Sequence, residues 1–518
     1  MEKSKIYRLL SELNGLRWNL IYKSGLVGLV SGVLVSLYRL GIELGTEKAI
    51  QAYGFLSGHP IFILPWLLLI VFASAIIHKL ITLEPNAKGS GIPQVEGIVL
   101  LGMKMKWYTI LLVRFAAGII VSFFGLSVGR EGPSIQIGAC GAQALSKIVG
   151  GNKVEKNYLI TAGAAAGLSA AFNAPLSGIV FTLEEVHRSF SPYILAAVTT
   201  AALTADFVSN LLFGMRPVLD FLDIPQMPLH FYPWLILTGL LSGIVGSLTN
   251  KCLLYAATLY GKIPSFSHQM FALLVAIPCG VLVPQVLGGG QNLIQIAKEA
   301  NEGMGMIFVF LVVKLVFTCI SFGSGIPGGI FLPILSIGAL TGGLLGQIAL
   351  GAGMPSVYIS VICVCAMAGA LSSSVKAPIT SILLMAEMTG SLVQLLPVAI
   401  VAFLALFTSD LLKITPIYEV LLDRIANKTR TKVNDQSSGR ALMEIPVELG
   451  SFVAGKRIQE ISWPAGLLIV SLHRGNEEIV PNGSTKICQG DYLVVLSSVY
   501  NYDEMSQILR SLCHSCKE

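Results

Sequence analysis

Between Lys314 and Lys376 the chain runs for 61 residues without a single Asp, Glu, Lys or Arg, and between Lys262 and Lys298 it does so for another 35. A bilayer-spanning helix needs about 20 mostly apolar residues. These two runs alone therefore hold several membrane-length segments. Across all 518 residues only 12% are charged, against roughly 25% in a typical soluble domain. A soluble protein of this length would lack the charge to cover its surface. The fold class is therefore an all-α polytopic membrane protein, which excludes a soluble enzyme. The net charge of +6 is too small and too scattered for a phosphate-binding surface, so no nucleic-acid partner is expected.

Charge is unevenly divided. Residues 437–518 carry 7 basic and 9 acidic side chains, nearly twice the density of the first 436, which carry 28 and 20. A membrane body thus ends in a small soluble domain. Residues 1–24 read as a polar, basic N-terminal segment with no evident signal peptide, and basic residues gather again at Lys413, Arg424, Lys428, Arg430 and Lys432. The positive-inside tendency puts both termini in the cytoplasm. The expected organisation is a segment at 1–24, a transmembrane domain at 25–425 with halves of about 25–215 and 230–425, a linker at 426–437, and a regulatory domain at 438–518.

Apolar segments fall at 25–44, 61–83, 107–128, 158–183, 193–213, 232–254, 271–287, 307–322, 331–350, 357–371, 379–388 and 393–412. Several are too short to cross a bilayer straight, and 53 Gly and 23 Pro interrupt them. Broken helices leave backbone groups open at membrane depth, which is tolerated only where protein or a watery path satisfies them. The pattern favours a transporter or channel.

The chain also repeats itself. Gly89-Ser90-Gly91-Ile92-Pro93 recurs as Gly323-Ser324-Gly325-Ile326-Pro327. Leu168-Ser169-Ala170-Ala171-Phe172-Asn173-Ala174-Pro175 parallels Leu371-Ser372-Ser373-Ser374-Val375-Lys376-Ala377-Pro378, and Glu184 matches Glu387 at the same offset. Two related membrane halves usually sit in inverted topology, with the ligand at their interface.

Three segments share a design: 89–93, Gly129-Arg130-Glu131-Gly132-Pro133, and Gly328-Gly329-Ile330-Phe331-Leu332-Pro333. In each, glycines permit a sharp turn and a Pro suits the first helical turn. Each therefore opens a helix N-terminus, with unpaired N–H donors and about half a positive charge. Converging inside a membrane, such ends bind an anion weakly enough for throughput. Glu131, an ionisable group at membrane depth, is a functional candidate by default. Lys314 and Lys376 are read as snorkelling or paired.

These motifs make the chain resemble the CLC family of chloride channels and proton-coupled chloride transporters. The resemblance spans about residues 15–425, through GSGIPQVEG at 89–97, GREGPSIQIGA at 129–139, FNAPLSGIVFTLEE at 172–185, GGGQNLI at 288–294, SGIPGGIFLP at 324–333, and Tyr418. It implies that Ser90 and Tyr418 donate hydroxyl hydrogen bonds to a central chloride, joined by the amides of Ile330 and Phe331. It implies an outer anion site on the backbone of Gly129, Arg130 and Gly132, and an inner one at Gly89 and Ser90. Glu131 would be the gate that competes with chloride, and Glu185 the internal proton relay. Gln94 and Ser134 depart from the common Glu and Thr. The resemblance further implies a homodimer.

The last domain alternates β-rich runs at 441–447, 467–472 and 492–497 with turns. It resembles the TrkA-C (RCK C-terminal) domain over about 438–510, an α/β module that commonly dimerises and binds a small regulatory molecule. Eukaryotic relatives usually carry CBS pairs instead, so a prokaryotic cell membrane is expected. The leading function is exchange of chloride for protons. The alternatives are a passive chloride channel and, in another class, a cation carrier. An intramembrane enzyme is disfavoured, and no HExxH pattern is present. Neither cofactor nor metal is expected. The nine cysteines read as buried hydrophobes, and the pair Cys513 and Cys516 makes only a weak metal motif.

Overall fold

The computed structural model describes residues 2–150, 153–188, 190, 192–215, 217–219, 221, 224–299, 302–434, 440–447, 451–474, 477–498 and 502–513. Eight helices make the first half of the membrane body: α1 (Glu2–Gly58), α2 (Ile63–Leu83), α3 (Ile92–Leu101), α4 (Trp107–Phe123), α5 (Glu131–Val149), α6 (Lys153–Phe172), α7 (Pro175–Phe181) and α8 (Pro192–Phe213). The second half has eight more: α9 (Tyr232–Tyr260), α10 (Ser267–Leu282), α11 (Gln291–Glu299), α12 (Met304–Gly323), α13 (Phe331–Gly351), α14 (Ile359–Val375), α15 (Pro378–Thr389) and α16 (Leu395–Leu411). Helix α17 (Ile417–Asn434) then leads out of the body. Among the described residues, seven helices are long and apolar enough to cross a membrane, and five apolar ones are shorter.

The packing of the first eight helices recurs in the second eight. Helix α5 lies on α6 as α13 lies on α14, α6 meets α8 as α14 meets α16, and α1 covers α8 as α9 covers α16. Small residues bring the core pairs close: a Cβ on Gly138 would fall 2.1 Å from the Gly163 carbonyl of α6, and one on Gly342 2.6 Å from Cys363 Cα of α14. Without a hydrophobic drive between helices in lipid, such close approach is what holds them together. The breaks recur as well. Asn173 (φ 50°) ends α6 before Pro175, and Lys376 (φ 63°) ends α14 before Pro378.

One sequence correspondence needs correction. Residues 89–93 open α3, whereas the identical 323–327 begin at the last residue of α12 and lead into α13. The positional counterpart of 89–93 is Gly288-Gly289-Gly290-Gln291-Asn292, which opens α11. The two identical loops instead meet: Gly89 N–H points to Gly325 O at 3.3 Å, and Gly328 N–H to Gly89 O at 3.2 Å.

Beyond α17 lies a four-stranded antiparallel sheet in the order β1-β4-β2-β3, made of β1 (Arg440–Pro446), β2 (Leu468–Arg474), β3 (Glu477–Ile479) and β4 (Tyr492–Ser498). Met443, Ile445, Leu493 and Val495 form its core with Met505, Leu509 and Cys513 of α18 (Tyr502–Cys513). Strand β3 and helix α18 are absent from the sequence reading, the first because it is three residues long. Cys516, the second half of the proposed CxxC pair, lies outside the described residues.

Candidate anion site

The three turn motifs converge. Gly129 and Gly329 exchange backbone hydrogen bonds of 2.8 and 2.7 Å, which sets the N-terminus of α5 against that of α13. Glu131, fully buried, is the first residue of α5. Its Oε1 accepts a hydrogen bond from the Phe331 N–H at the start of α13. The backbone amides of Glu131 and Leu332 also face the carboxylate. Glycine makes the seat possible. A Cβ on Gly129 would fall 2.1 Å from Glu131 Oε2, and one on Gly329 2.4 Å from Oε1. The carboxylate thus lies on the two open helix ends, where positive partial charge is concentrated.

Arg130 does not neutralise it. Its Nη1 donates to Glu43 of α1, which also accepts from Arg39 Nε at 3.0 Å, while Arg130 Nε and Nη2 are buried without a partner. On this side a cavity of about 240 Å³ reaches Gly129, Arg130 and Leu332 between Glu43, Thr46 and Gln291.

On the other side of Phe331 the buried Ser90 Oγ and Tyr418 Oη approach one another, and neither makes a regular hydrogen bond. Ser90 lies hard against Gly132, where a Cβ would fall 2.5 Å from the Ser90 hydroxyl. Tyr418 packs at 6.0 Å against the Phe331 ring, which is edge-on to Phe181 at 5.4 Å. Two buried hydroxyls without a regular partner fit an anion. Gly89 stands apart from the expectation. Its N–H and C=O are engaged by Gly325 and Gly328, and Arg114 Nη1 donates to the same carbonyl at 2.5 Å. It is a scaffold for the loop, which leaves Ser90 as the ligand candidate there. Ile330 is the residue before α13 and is fully buried.

Glu185 is also buried, at 6% exposure, rather than facing outward at a helix end. It lies in a π-helical turn, Thr182–Val186, with Arg188, Glu96, Glu184 and Glu419 as its charged neighbours. Arg188 Nη2 pairs with Glu96 at 2.7 Å. The sequence reading missed Glu96, although it stands inside the 89–97 motif. It also missed Arg114 and Glu43, which only the fold brings to the site.

Lys314 corrects another expectation. It neither snorkels nor pairs with a carboxylate: fully buried, it donates to Val286 O at 2.9 Å and Gly288 O at 2.7 Å. Lys376 does pair, with Asp410 at 2.7 Å. Residues 125–129 spell G-x-S-x-G, the pattern of a serine nucleophile elbow. Ser127, however, spends its hydroxyl on Thr318 at 2.8 Å, and no strand precedes it among the described residues. Among the described residues no cluster of three His, Cys, Asp or Glu is placed to hold a metal.

Paired halves of broken helices, converging on a buried carboxylate that sits on helix N-termini, define a membrane transport protein. The model of the voltage gated chloride channel family matches residues 67–410, and that of the TrkA-C domain residues 442–510. The chain belongs to the CLC family of voltage gated chloride channels and their transporter relatives, and carries a C-terminal TrkA-C domain. Among its relatives, the H(+)/Cl(-) exchange transporter ClcA of Cronobacter sakazakii is 31% identical over 432 residues, covering 80% of this chain and 92% of that one. ClcA of Citrobacter koseri is 29% identical over 422 residues, covering 79% and 89%. The crystal structure of a slow cyanobacterial Cl-/H+ antiporter superposes with a TM-score of 0.75 at 26% identity, covering 80% of this chain and 99% of that one. That of a CLC-type fluoride/proton antiporter, at 24% identity and a TM-score of 0.63, shares the fold, covering 75% of this chain and 95% of that one.

Proposed function

We propose that this protein is a secondary active transporter that exchanges chloride for protons across a cell membrane. The observation that carries it is the seat of Glu131: a buried carboxylate hydrogen-bonded to the Phe331 amide, in a place built for a negative charge. Ionised, it excludes an anion from that seat. Protonated, it loses its attraction to the helix ends and yields the seat to chloride. One side chain thereby links the two movements. Chloride would be held by the hydroxyls of Ser90 and Tyr418 and the amides of Ile330 and Phe331. The backbone of Gly129, Arg130 and Gly132 would form an outer position.

Glu185 would hand protons to and from the inner side. Its burial beside Glu96 and Arg188 supports a role in carrying the proton rather than the anion. Basic residues at both ends of the membrane body support cytoplasmic termini. A homodimer, and a small molecule regulating transport through the TrkA-C domain, complete the reading.

The test is chloride-loaded liposomes holding the full-length protein, with external pH recorded as chloride leaves. Exchange drives protons inward against their gradient. A channel on the same fold dissipates the chloride gradient with no such movement, and that result would overturn the exchange reading.

A further inference from the structure

A proton that reaches Glu185 from the cytoplasm has to cross a shell of protein. Glu185 is 6% exposed, and its Oε1 has no hydrogen-bond partner among the described residues. Protons pass only between groups within hydrogen-bond reach or joined by water. The charged neighbours of Glu185 are Arg188, Glu96, Glu184 and Glu419. Glu96 is wholly buried and paired with Arg188 at 2.7 Å. Glu184 caps the start of α15, accepting from the Thr380 N–H at 3.0 Å and hydroxyl at 2.7 Å. Glu387 returns this contact from the other half by accepting from the Ser177 N–H at 2.7 Å, at the start of α7. Glu419 differs from Glu96 and Glu184 in being exposed to solvent.

Helix α17 explains how an exposed carboxylate comes to stand there. Glu419 lies in its first turn, where the positive helix end attracts a carboxylate. The residue before it, Tyr418, is wholly buried with its ring against Phe331, so one turn of α17 reaches from the anion seat to water. Helix α3 packs on both α17 and the turn Thr182–Val186. The contact with α17 is close, since a Cβ on Gly97 would fall 3.3 Å from Leu422 Cδ1. Gly97 follows Glu96 in sequence, and Leu422 is one turn beyond Glu419. The packing that seats Tyr418 therefore also brings Glu419 to the carboxylates around Glu185. Chloride has no use for it, because a negative charge beside Tyr418 repels an anion.

We propose that Glu419 is the proton-loading residue for Glu185 on the cytoplasmic side. Its carboxylate takes a proton from cytoplasmic water, passes it through bridging water to Glu185 Oε1, and is left ionised again. The reverse sequence unloads Glu185, and only O–H bonds form or break. This rests on the exchange reading above and on Glu185 as relay.

The experiment is simultaneous chloride and proton flux in liposomes holding the full-length protein, with Asp423→Asn as the control. Asp423 is exposed one turn further along α17 and is not among the charged neighbours of Glu185. Glu419→Gln is expected to lower the ratio of proton to chloride flux at least about threefold, a loss confined to one of two coupled steps. Asp423→Asn should keep the wild-type ratio. Glu419→Asp and Glu419→His should each recover coupling, and His should move the pH dependence of proton flux toward the imidazole range near about 6.5. These two variants also carry the test should Glu419→Gln not fold. A faster chloride flux at an unchanged ratio in Glu419→Gln would show a charge that only repels anions, and overturns the inference. So does an equal fall in Asp423→Asn, or a ratio in both Asp and His variants no better than in Gln. Glu185→Gln with intact coupling overturns the relay reading instead, and wild-type protein that moves chloride without protons overturns the exchange reading.

Discussion

Gly129 and Gly329 stand 200 positions apart, and each gives its N–H to the other's carbonyl, at 2.8 and 2.7 Å. This small antiparallel contact holds the N-termini of α5 and α13 face to face. The Glu131 carboxylate fills the space that two missing side chains leave. The same offset of 200 relates Arg114 on α4 to Lys314 on α12. Each is a buried cation that donates to the carbonyls of the loop before a short helix, Gly89 for Arg114 and Val286 with Gly288 for Lys314.

Glu131→Gln keeps the shape of the side chain and removes its charge. We expect chloride flux to persist and proton pumping to fall to the level of empty liposomes, read by pH recording under a chloride gradient. Proton pumping at the wild-type rate in this variant would remove Glu131 from the gating role.

Ser90→Ala and Tyr418→Phe each delete one hydroxyl from the anion seat while leaving Phe331 packed. A hydrogen bond to a charged group contributes roughly 1.5–3 kcal/mol, so chloride affinity should weaken about 10- to 100-fold in either variant. Calorimetric chloride titration of detergent-purified protein measures it. Unchanged affinity in both would move the anion elsewhere.

Gly329→Ala places a methyl group 2.4 Å from Glu131 Oε1. The backbone at Gly329 does not need a left-handed conformation, so the cost falls first on the carboxylate, with the Gly132 amide nitrogen next at 3.0 Å. We expect a folded protein whose Glu131 is expelled from its seat and whose proton-to-chloride ratio collapses. Wild-type coupling with full stability would show that the seat is looser than its contacts indicate.

Lys314→Met leaves the carbonyls of Val286 and Gly288 without donors at membrane depth. Each lost partner costs about 1–3 kcal/mol, so the protein should melt measurably earlier. Lys314→Arg should lose less. A thermal shift assay of the detergent-solubilised protein decides, and a melting temperature equal to wild type in Lys314→Met would contradict the burial argument.

In the TrkA-C domain, Arg474 binds both oxygens of Asp491 at 2.9 and 2.8 Å, and Asp491 is buried at 1% exposure. Because Arg474 is 40% exposed, its loss should cost near the lower end of the roughly 1–3 kcal/mol for an abandoned buried acceptor. Arg474→Ala should speed proteolytic cleavage within 451–498 in the full-length protein, with the membrane body left intact.

Much of the membrane body was legible because its signal is local. Apolar runs at 61–83, 193–213 and 331–350 correspond to α2, α8 and α13 within a few residues, since membrane helices must satisfy their backbones internally. The run at 158–183 was misread as one segment. Asn173 and Pro175 divide it into α6 and α7. The short helices α3 and α11 were not seen among the apolar segments at all. Glu96 in the one and Gln291, Asn292 and Gln295 in the other spoil the hydrophobic pattern: Glu96 is buried against Arg188, Gln291 and Asn292 line the cavity beside Arg130, and Gln295 donates to Glu299. The identical pentapeptides were legible as a pair but not as what they are, two loops in contact rather than two copies in register.

What the sequence determined alone was the set of parts. Long uncharged stretches require a membrane, Gly and Pro break the helices there, and glycine-flanked turns before proline leave N–H groups open for an anion. All of this comes from properties of neighbouring residues. The tertiary structure decided which ends meet and which charges find partners. It set Glu131 on Phe331 rather than on Arg130, gave Arg130 to Glu43, and crossed Glu184 and Glu387 between halves. Those choices depend on residues up to about 200 positions apart, whose proximity only packing can fix.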